Sequence, residues 1–211
     1  MNPSGRPHAE GRSAQRAGAV ARDRGLGVAL LRLARREIAL HLDAPAAAPL
    51  AHAALAEFGA TFVTLLREGE LRGCIGSLTP RRRLDEDVCD NAVGAAFRDP
   101  RFPPLRRYEL DALVVEVSLL GPTTPLSFAD EADLLAQLVP GQDGLVLEVG
   151  GRRATFLPQV WEALPAPRDF LAALKRKAGL PPDFWGPDVS ARRYAVAKWS
   201  EDERLDSEVT R

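Results

Sequence analysis

The chain has 211 residues, of which 45% are hydrophobic and 27% charged, and this composition excludes a disordered, collagen-like or coiled-coil protein. Its 28 basic and 29 acidic residues give a formal net charge of −1, which disfavours nucleic acid and anionic membranes as partners. Two cysteines cannot build a disulfide framework or a metal cluster, and the N-terminus lacks the apolar core of a signal peptide. We therefore expect a soluble, cytoplasmic protein without a bound metal.

The predicted elements lie between a polar leader of residues 1–24, expected to be disordered, and a loose charged tail of residues 201–211. Apolar periodicity and turn residues predict a helix over 25–43, a β-hairpin over 60–77, a helix over 84–98, a strand over 113–120, a short helix over 130–138, a β-hairpin over 145–156, a helix over 168–178 and a closing strand over 194–199. Residues 51–58 fit either a short helix or a loop. Hairpins mixed with helices, without regular βαβ alternation, indicate an α+β domain over residues 25–200.

The most unusual segment is residues 71–76, with the sequence Leu-Arg-Gly-Cys-Ile-Gly, because two glycines weaken a strand. We expect Gly73 and Gly76 to lie where backbone or a ligand approaches closely. Alternation along a strand places Arg72 and Cys74 on the same face. Positive charge beside a thiol favours the thiolate, so Cys74 is a candidate catalytic residue. The alternative, equally weighted on residue type, is a buried structural cysteine beside an arginine in an ion pair.

A second unusual segment, residues 99–104, has the sequence Asp-Pro-Arg-Phe-Pro-Pro and follows a predicted helix. Its three prolines stiffen the loop, and a rigid loop can present side chains to a ligand. Asp99 and Arg101 are predicted to pair with each other, or with Arg72 and Glu70. The alternative is a proline-rich corner that is held by an ion pair and has no ligand.

Other candidate sites have less support. The three histidines, His8, His41 and His52, lie in the leader or beside the Ala/Pro linker, so a Cys–His dyad is disfavoured. Residues 81–83 are three arginines suited to a phosphate, but the acids that follow them favour a solvated turn. The signatures of P-loop, dinucleotide-binding, zincin and α/β-hydrolase proteins are lacking, so no cofactor is predicted.

Seven segments, taken together and in order, resemble one family. They are residues 71–76, 91–97, 99–104, 116–120, 141–147, 155–160 and 177–180. The family is the AMMECR-type domain, whose bacterial members are called AmmeMemoRadiSam system protein A, and the resemblance covers residues 25–200. It implies an α+β fold with an antiparallel sheet flanked by helices, and two intimately packed subdomains with a cleft onto which the hexapeptide faces.

The resemblance implies site residues and partners but no established reaction. The positions that match the family's motifs, and are candidates for binding a ligand, are Arg72, Gly73, Gly76, Asp99, Arg101 and Phe102, with Cys74 as the candidate catalytic residue. Bacterial members are named for co-occurrence with a Memo-like protein and a radical SAM protein, which are therefore the implied partners. Members often have a cysteine where this chain has Lys175, so a two-thiol mechanism loses support.

Two functions from different classes remain open at this point. The first is a cytoplasmic enzyme or substrate-binding subunit that acts with the Memo-like and radical SAM partners, and whose cleft binds a small anionic ligand near Cys74. The second is a non-catalytic interaction or regulatory module that docks on those partners, with the hexapeptide kept for close backbone packing. The reactivity of the Cys74 thiol distinguishes the two.

Overall fold

The computed structural model describes residues 23–202 of the chain. The predicted leader (1–24) and tail (201–211) therefore lie mostly outside the described residues. The first helix begins at Arg24, because the Asp23 carboxylate accepts a hydrogen bond from a backbone N–H of the first turn. This cap satisfies one of the N–H groups that a helix leaves free at its start.

Within residues 23–202 there are five α-helices and ten strands. The helices are α1 (Arg24–His41), α2 (Leu84–Val93), α3 (Glu131–Gln137), α4 (Val160–Ala163) and α5 (Pro167–Lys177). The strands are β1 (Phe58–Gly59), β2 (Thr61–Arg67), β3 (Glu70–Gly76), β4 (Arg82–Arg83), β5 (Leu113–Leu120), β6 (Thr124–Leu126), β7 (Gly144–Val149), β8 (Arg152–Phe156), β9 (Ser190–Tyr194) and β10 (Val196–Ser200). Two 3₁₀ turns, Ala53–Ala56 and Arg107–Ala112, and a π-helical turn, Gly94–Arg98, complete the described elements.

The chain divides into two compact units. The first contains residues 23–120 and 197–202, and the second contains residues 121–196. A four-stranded sheet with the order β10-β5-β2-β3 belongs to the first unit, and a sheet with the order β6-β9-β7-β8 to the second. β2 pairs with β3 and β5 antiparallel, as β7 does with β8 and β9. This mixture of antiparallel sheets and helices confirms the predicted α+β class.

The core of the first unit lies between its sheet and the helices α1 and α2. α1 buries Leu30 and Ile38, which share one helical face, and the alternating residues Val63, Val115 and Val117 cover the sheet face opposite. Each of these side chains is fully buried and contributes about 1.5 to 3 kcal/mol by leaving water. The hydrophobic periodicity of the sequence therefore accounts for the packing of β2 on the core, and β3 pairs with β2.

The second unit has its own core around α5. The Trp161 and Phe170 rings stack with centroids 3.7 Å apart, and buried residues of α3, α5, β7, β8 and β9 complete the core. The predicted primed turn between β7 and β8 is present, since Gly150 and Gly151 both have positive φ. Lys175 is buried in this unit, with Nζ 3.0 Å from a carboxylate oxygen of Glu131.

Two details of the chain path differ from, or sharpen, the sequence prediction. The closing strand predicted over 194–199 is two strands, because the chain leaves the second unit's sheet at Tyr194 and joins β5 in the first unit's sheet from Val196. The alternation of buried residues shifts by one position at this change of sheet, since Tyr194, Ala197 and Trp199 are the buried ones. The apolar run over residues 194–197 does not mark the shift in the sequence. Residues 51–58 contain a short 3₁₀ turn. Among the described residues, no helix has both the length and the apolar character needed to cross a membrane.

Candidate functional site

Cys74 lies on β3, the outermost strand of the first unit's sheet. An outermost strand has backbone groups that the sheet itself does not pair, and the loop after the π-helical turn supplies partners for them. The Cys74 N–H donates to Oδ2 of Asp99 at 2.9 Å, and Nη2 of Arg101 donates to the Cys74 carbonyl at 3.2 Å. We call Asp99 and Arg101 the edge clip. It fixes the backbone of Cys74 from the side opposite β2.

The edge clip is itself a tight ion pair. Nε and Nη2 of Arg101 donate to the two carboxylate oxygens of Asp99 at 3.0 and 2.7 Å. These bonds hold the pKa of Asp99 well below its usual range despite burial, and the N–H groups of Cys74 and Arg101 lower it further. Asp99 is therefore charged at neutral pH although its side chain is only 2% exposed. The prediction that Asp99 and Arg101 pair with each other is confirmed.

Two polar groups lie at Cys74. Thr64 is its cross-strand partner on β2, and the Thr64 hydroxyl donates to Sγ at 3.3 Å. The second group is the Arg101 guanidinium, whose Nη2 donates to the Cys74 carbonyl oxygen. The pKa of this guanidinium is raised, mainly by Asp99. A hydroxyl donor and a cation are the groups that stabilise a thiolate. As a residue, Cys74 is partly exposed, as Cys89 is.

Arg72 has a different partner from those predicted. It forms a two-pronged ion pair with Glu109, with Nε–Oε1 and Nη2–Oε2 distances of 2.8 and 3.2 Å. Arg72 is the main cause that lowers the pKa of Glu109, and Arg67 adds a smaller contribution. The Phe102 ring lies near both predicted arginines, 6.0 Å from Cζ of Arg72 and 5.5 Å from Cζ of Arg101. Arg72, Arg101, Phe102 and Asp99 are thus brought together around the hexapeptide.

Glu109 was missed by sequence reasoning. Its carboxylate caps the second 3₁₀ turn by accepting from the Arg106 N–H at 2.8 Å, and also receives Arg72 and Arg67. The signal available was a glutamate three residues after the N-cap residue Arg106, which is typical of a capping carboxylate. Its partner Arg72 lies on β3, far away in the sequence, so no local sequence pattern indicates this ion pair.

The two hexapeptide glycines are required by packing within the protein. A Cβ on Gly73 would lie 2.1 Å from the Ala95 carbonyl oxygen, and a Cβ on Gly76 would lie 2.3 Å from the Phe62 ring. The close approach predicted at both positions is therefore made by protein atoms. At Gly73 it brings β3 against the π-helical turn, which leads directly into the edge clip.

A buried polar network, also missed, holds the far end of β3. The Asp87 carboxylate on α2 accepts from the Thr61 hydroxyl, from Ser77 and from Asn91 at 2.7 to 2.9 Å, and from Arg82 at 3.1 Å. Ser77 follows the hexapeptide directly, so the network fixes where β3 ends. In sequence, Asp87 has the appearance of one surface acid among several.

Cys89, the other cysteine, lies on α2 and packs against the core of the first unit. Burial raises the pKa of its thiol to about 12, and the negative charges of Glu37 and Asp85 add to the effect. Cys89 is therefore protonated and poorly reactive at neutral pH.

Comparison with known proteins agrees with the motif-based resemblance. The family model of AMMECR1 matches residues 31–199. A protein of Methanothermobacter thermautotrophicus is 42% identical over 147 residues, covering 67% of this chain and 74% of its own. MK0488 of Methanopyrus kandleri is 35% identical over 190 residues, covering 84% of this chain and 89% of its own. The crystal structure of PH0010 from Pyrococcus horikoshii matches with a TM-score of 0.74 at 37% identity, covering 83% of this chain and 91% of that one. The chain therefore belongs to the AMMECR1 family.

Proposed function

We propose that the protein is a cytoplasmic enzyme or substrate-binding subunit that binds a small anionic ligand beside Cys74 and uses the Cys74 thiolate as its reactive or carrying group. One observation carries the proposal: the Cys74 sulfur receives a hydroxyl hydrogen bond from Thr64, and the Arg101 guanidinium donates to the carbonyl of the same residue. The proposed partners, a Memo-like protein and a radical SAM protein, rest on the co-occurrence for which bacterial AMMECR-type proteins are named.

Arg101 is the better placed of the two arginines to bind an anion. Its side chain is 53% exposed, whereas that of Arg72 is 13% exposed and holds Glu109 with two nitrogens. Arg101 directs Nε and Nη2 toward Asp99, and within residues 23–202 its Nη1 makes no hydrogen bond. A ligand carboxylate or phosphate could bind Nη1 without breaking the edge clip. Such a ligand would lie at the edge clip, next to Cys74.

Two alkylating reagents that differ in charge test the proposal. Iodoacetate is an anion and iodoacetamide is its neutral analogue, and the Cys89→Ala chain leaves Cys74 as the thiol that is alkylated. We expect the ratio of the iodoacetate rate to the iodoacetamide rate at pH 7.4 to exceed that of free 2-mercaptoethanol by about fivefold, because a nearby cation attracts the anionic reagent. A ratio equal to that of 2-mercaptoethanol would contradict anion binding at this site.

A matched pair of arginine variants gives the control. Arg101→Gln should return the ratio to the value of the free thiol. Arg98→Gln removes a similarly exposed guanidinium, which pairs with Asp90 on α2, and should leave the ratio unchanged. Melting temperatures of both variants report whether the fold is kept, since Arg101→Gln also removes part of the edge clip. A ratio lowered equally by both variants would indicate a general charge effect.

The alternative function, a docking module, has an observation of its own. Leu71 and Tyr108 are 43% and 77% exposed, and each is adjacent in sequence to a member of the Arg72–Glu109 pair. Exposed aromatic and aliphatic side chains around a fixed ion pair are typical of protein contacts. Tyr108→Ser should then weaken copurification with the Memo-like protein of the same genome while leaving Cys74 alkylation unchanged.

A further inference from the structure

A cavity of about 500 Å³ opens in the first unit, and none of its lining residues belongs to the Cys74 site. One wall is the α1 face that carries Arg32, Arg35 and Arg36, and the lining also includes Asp111 and Glu201. The volume is in the range of about 300 to 1,000 Å³ that is usual for small-molecule sites. The cavity is therefore large enough for a small metabolite.

Arg35 is already neutralised and forms a fixed part of the wall. Its Nε donates to Glu201 at 3.1 Å and its Nη1 donates to the Leu110 carbonyl at 2.8 Å, while Nη2 contacts Glu201 and the Leu113 carbonyl. Glu201 also accepts from the Val115 N–H at 2.9 Å. Glu201 was predicted to begin a loose tail, but these bonds hold it in place. The pair leaves no net charge for a ligand.

Arg32 and Arg36 present charge that the described protein does not balance. They lie four residues apart on α1, so their side chains share one face of the helix. Within residues 23–202, Arg32 makes no hydrogen bond or ion pair, and Arg36 makes one bond, from Nη1 to the Ala47 carbonyl at 3.1 Å. Both residues are partly buried. Two neighbouring guanidiniums of this kind attract an anion with two oxygens, such as a carboxylate.

The rest of the lining indicates the size and charge of that anion. Ala39, Pro45 and Leu110 offer an apolar surface, which suits an aliphatic or otherwise apolar body. Asp111 is exposed at the cavity and, among the described residues, forms no ion pair, so it repels a second negative group on the ligand. A ligand with one negative charge satisfies all of these features, whereas a dianion does not.

We propose that this cavity binds a small monocarboxylate with an apolar body. The carboxylate lies between Arg32 and Arg36, and the body packs against Ala39 and Leu110. The site shares no residue with the proposed Cys74 function, so either proposal can fail without the other.

The test uses the ¹⁵N-labelled full chain and three probes: 4-methylpentanoate, its neutral amide 4-methylpentanamide, and inorganic phosphate. We expect 4-methylpentanoate to shift the amide resonances of Ala46, Ala47 and Leu110 saturably, with an affinity about tenfold higher than that of the amide or of phosphate. Arg32→Gln and Arg36→Gln should each weaken binding by about fivefold or more. Arg176→Gln, which removes an exposed arginine of α5, should have no effect.

Several results would overturn the proposal. Equal affinity for the acid and the amide would show that charge plays no part, and equal affinity for phosphate would show that any anion suffices. An effect of Arg176→Gln as large as that of Arg32→Gln would place binding on the general surface. Binding by a chain that ends at Asp202, but not by the full chain, would show that residues 203–211 exclude the ligand.

Discussion

The edge of β3 and the inner face of α2 each hold one partly buried cysteine, and the two regions differ in the groups around the sulfur. At β3, the Thr64 hydroxyl donates to the Cys74 sulfur and the Arg101 guanidinium donates to the Cys74 carbonyl. At α2, Cys89 has apolar neighbours and the negative charges of Glu37 and Asp85. The second region disfavours a thiolate, whereas the first offers a hydroxyl donor and a cation. Exposure alone does not separate two such thiols, whereas the charge of the neighbours does.

The difference between the surroundings of Cys74 and Cys89 also has a structural origin. Cys89 lies on a helix, where the backbone satisfies its own hydrogen bonds and needs no partner from another segment. Cys74 lies on an outermost strand, whose free backbone groups recruit Asp99 and Arg101. The groups that complete the sheet edge therefore also bring an acid and a cation to Cys74.

The largest expected effect comes from filling the space at Gly73, which lets β3 pack closely against the π-helical turn. Gly73→Val places side-chain atoms where the Ala95 carbonyl oxygen lies, and should lower the free energy of unfolding by about 1 to 3 kcal/mol. Urea denaturation measures this. Gly186→Ala is the control, because a Cβ there meets only ordinary contacts at 3.5 Å. Equal stability of the Gly73→Val variant and the natural chain would show that the hexapeptide glycine is incidental.

Asp99→Asn removes the charge of the edge clip and should cost about 1 to 2 kcal/mol at neutral pH, since charge-assisted hydrogen bonds become ordinary ones. The folded protein lowers the pKa of Asp99, so this stabilisation is full above the unfolded pKa near 4 and is lost as pH falls through the lower folded value. Urea denaturation of both chains between pH 7 and pH 3 should show a constant difference that shrinks below about pH 4. A difference that grows on acidification would contradict the assigned ion pair.

Thr64→Val keeps the side-chain shape and removes the hydroxyl that donates to Cys74. We expect alkylation of Cys74 by iodoacetamide to slow by about two- to fivefold, because the thiolate loses one donor. Ser118→Ala, which removes a buried hydroxyl from β5 at a different position, provides a comparison for general effects on the sheet. An unchanged alkylation rate in the Thr64→Val chain would show that the Thr64 hydroxyl does not influence the Cys74 thiol.

Arg72→Ala should have the smallest effect on Cys74. The Arg72 guanidinium is held by Glu109, so its charge is balanced locally and the alkylation rate should change by less than about twofold. The sequence alone placed Arg72 on the same strand face as Cys74, where its positive charge would favour the thiolate. A slowing larger than that of Thr64→Val would restore Arg72 as the main cation of the site.

Local features of the fold were predictable from the sequence, and long-range ones were not. The helical spacing of Leu26 and Leu30, the hairpin at Gly69 and the Gly150–Gly151 turn depend on nearby residues, and each element is present. The division of the closing strand depends on which sheet is available to each half, which no local pattern encodes.

The same distinction applies to the site. Cys74 and the Asp99–Arg101 pair stand in segments whose glycines and prolines are unusual for regular structure. Glu109 and Thr64 are ordinary residues in their own segments. They gain a role only because β3 lies between the second 3₁₀ turn and β2, a placement that is tertiary.

The most direct test of the central claim is competition between the two cysteines in the unaltered chain. The protein is treated at pH 7.4 with a small amount of iodoacetamide, unfolded, and labelled to completion with the isotopically heavy reagent, and mass spectrometry gives the light-to-heavy ratio at each cysteine. We expect iodoacetamide to alkylate Cys74 at least about 100-fold faster than Cys89, because burial and negative neighbours keep the Cys89 thiol protonated. Equal rates, or complete protection of Cys74 in the folded protein, would contradict a functional Cys74 thiolate and favour the docking module.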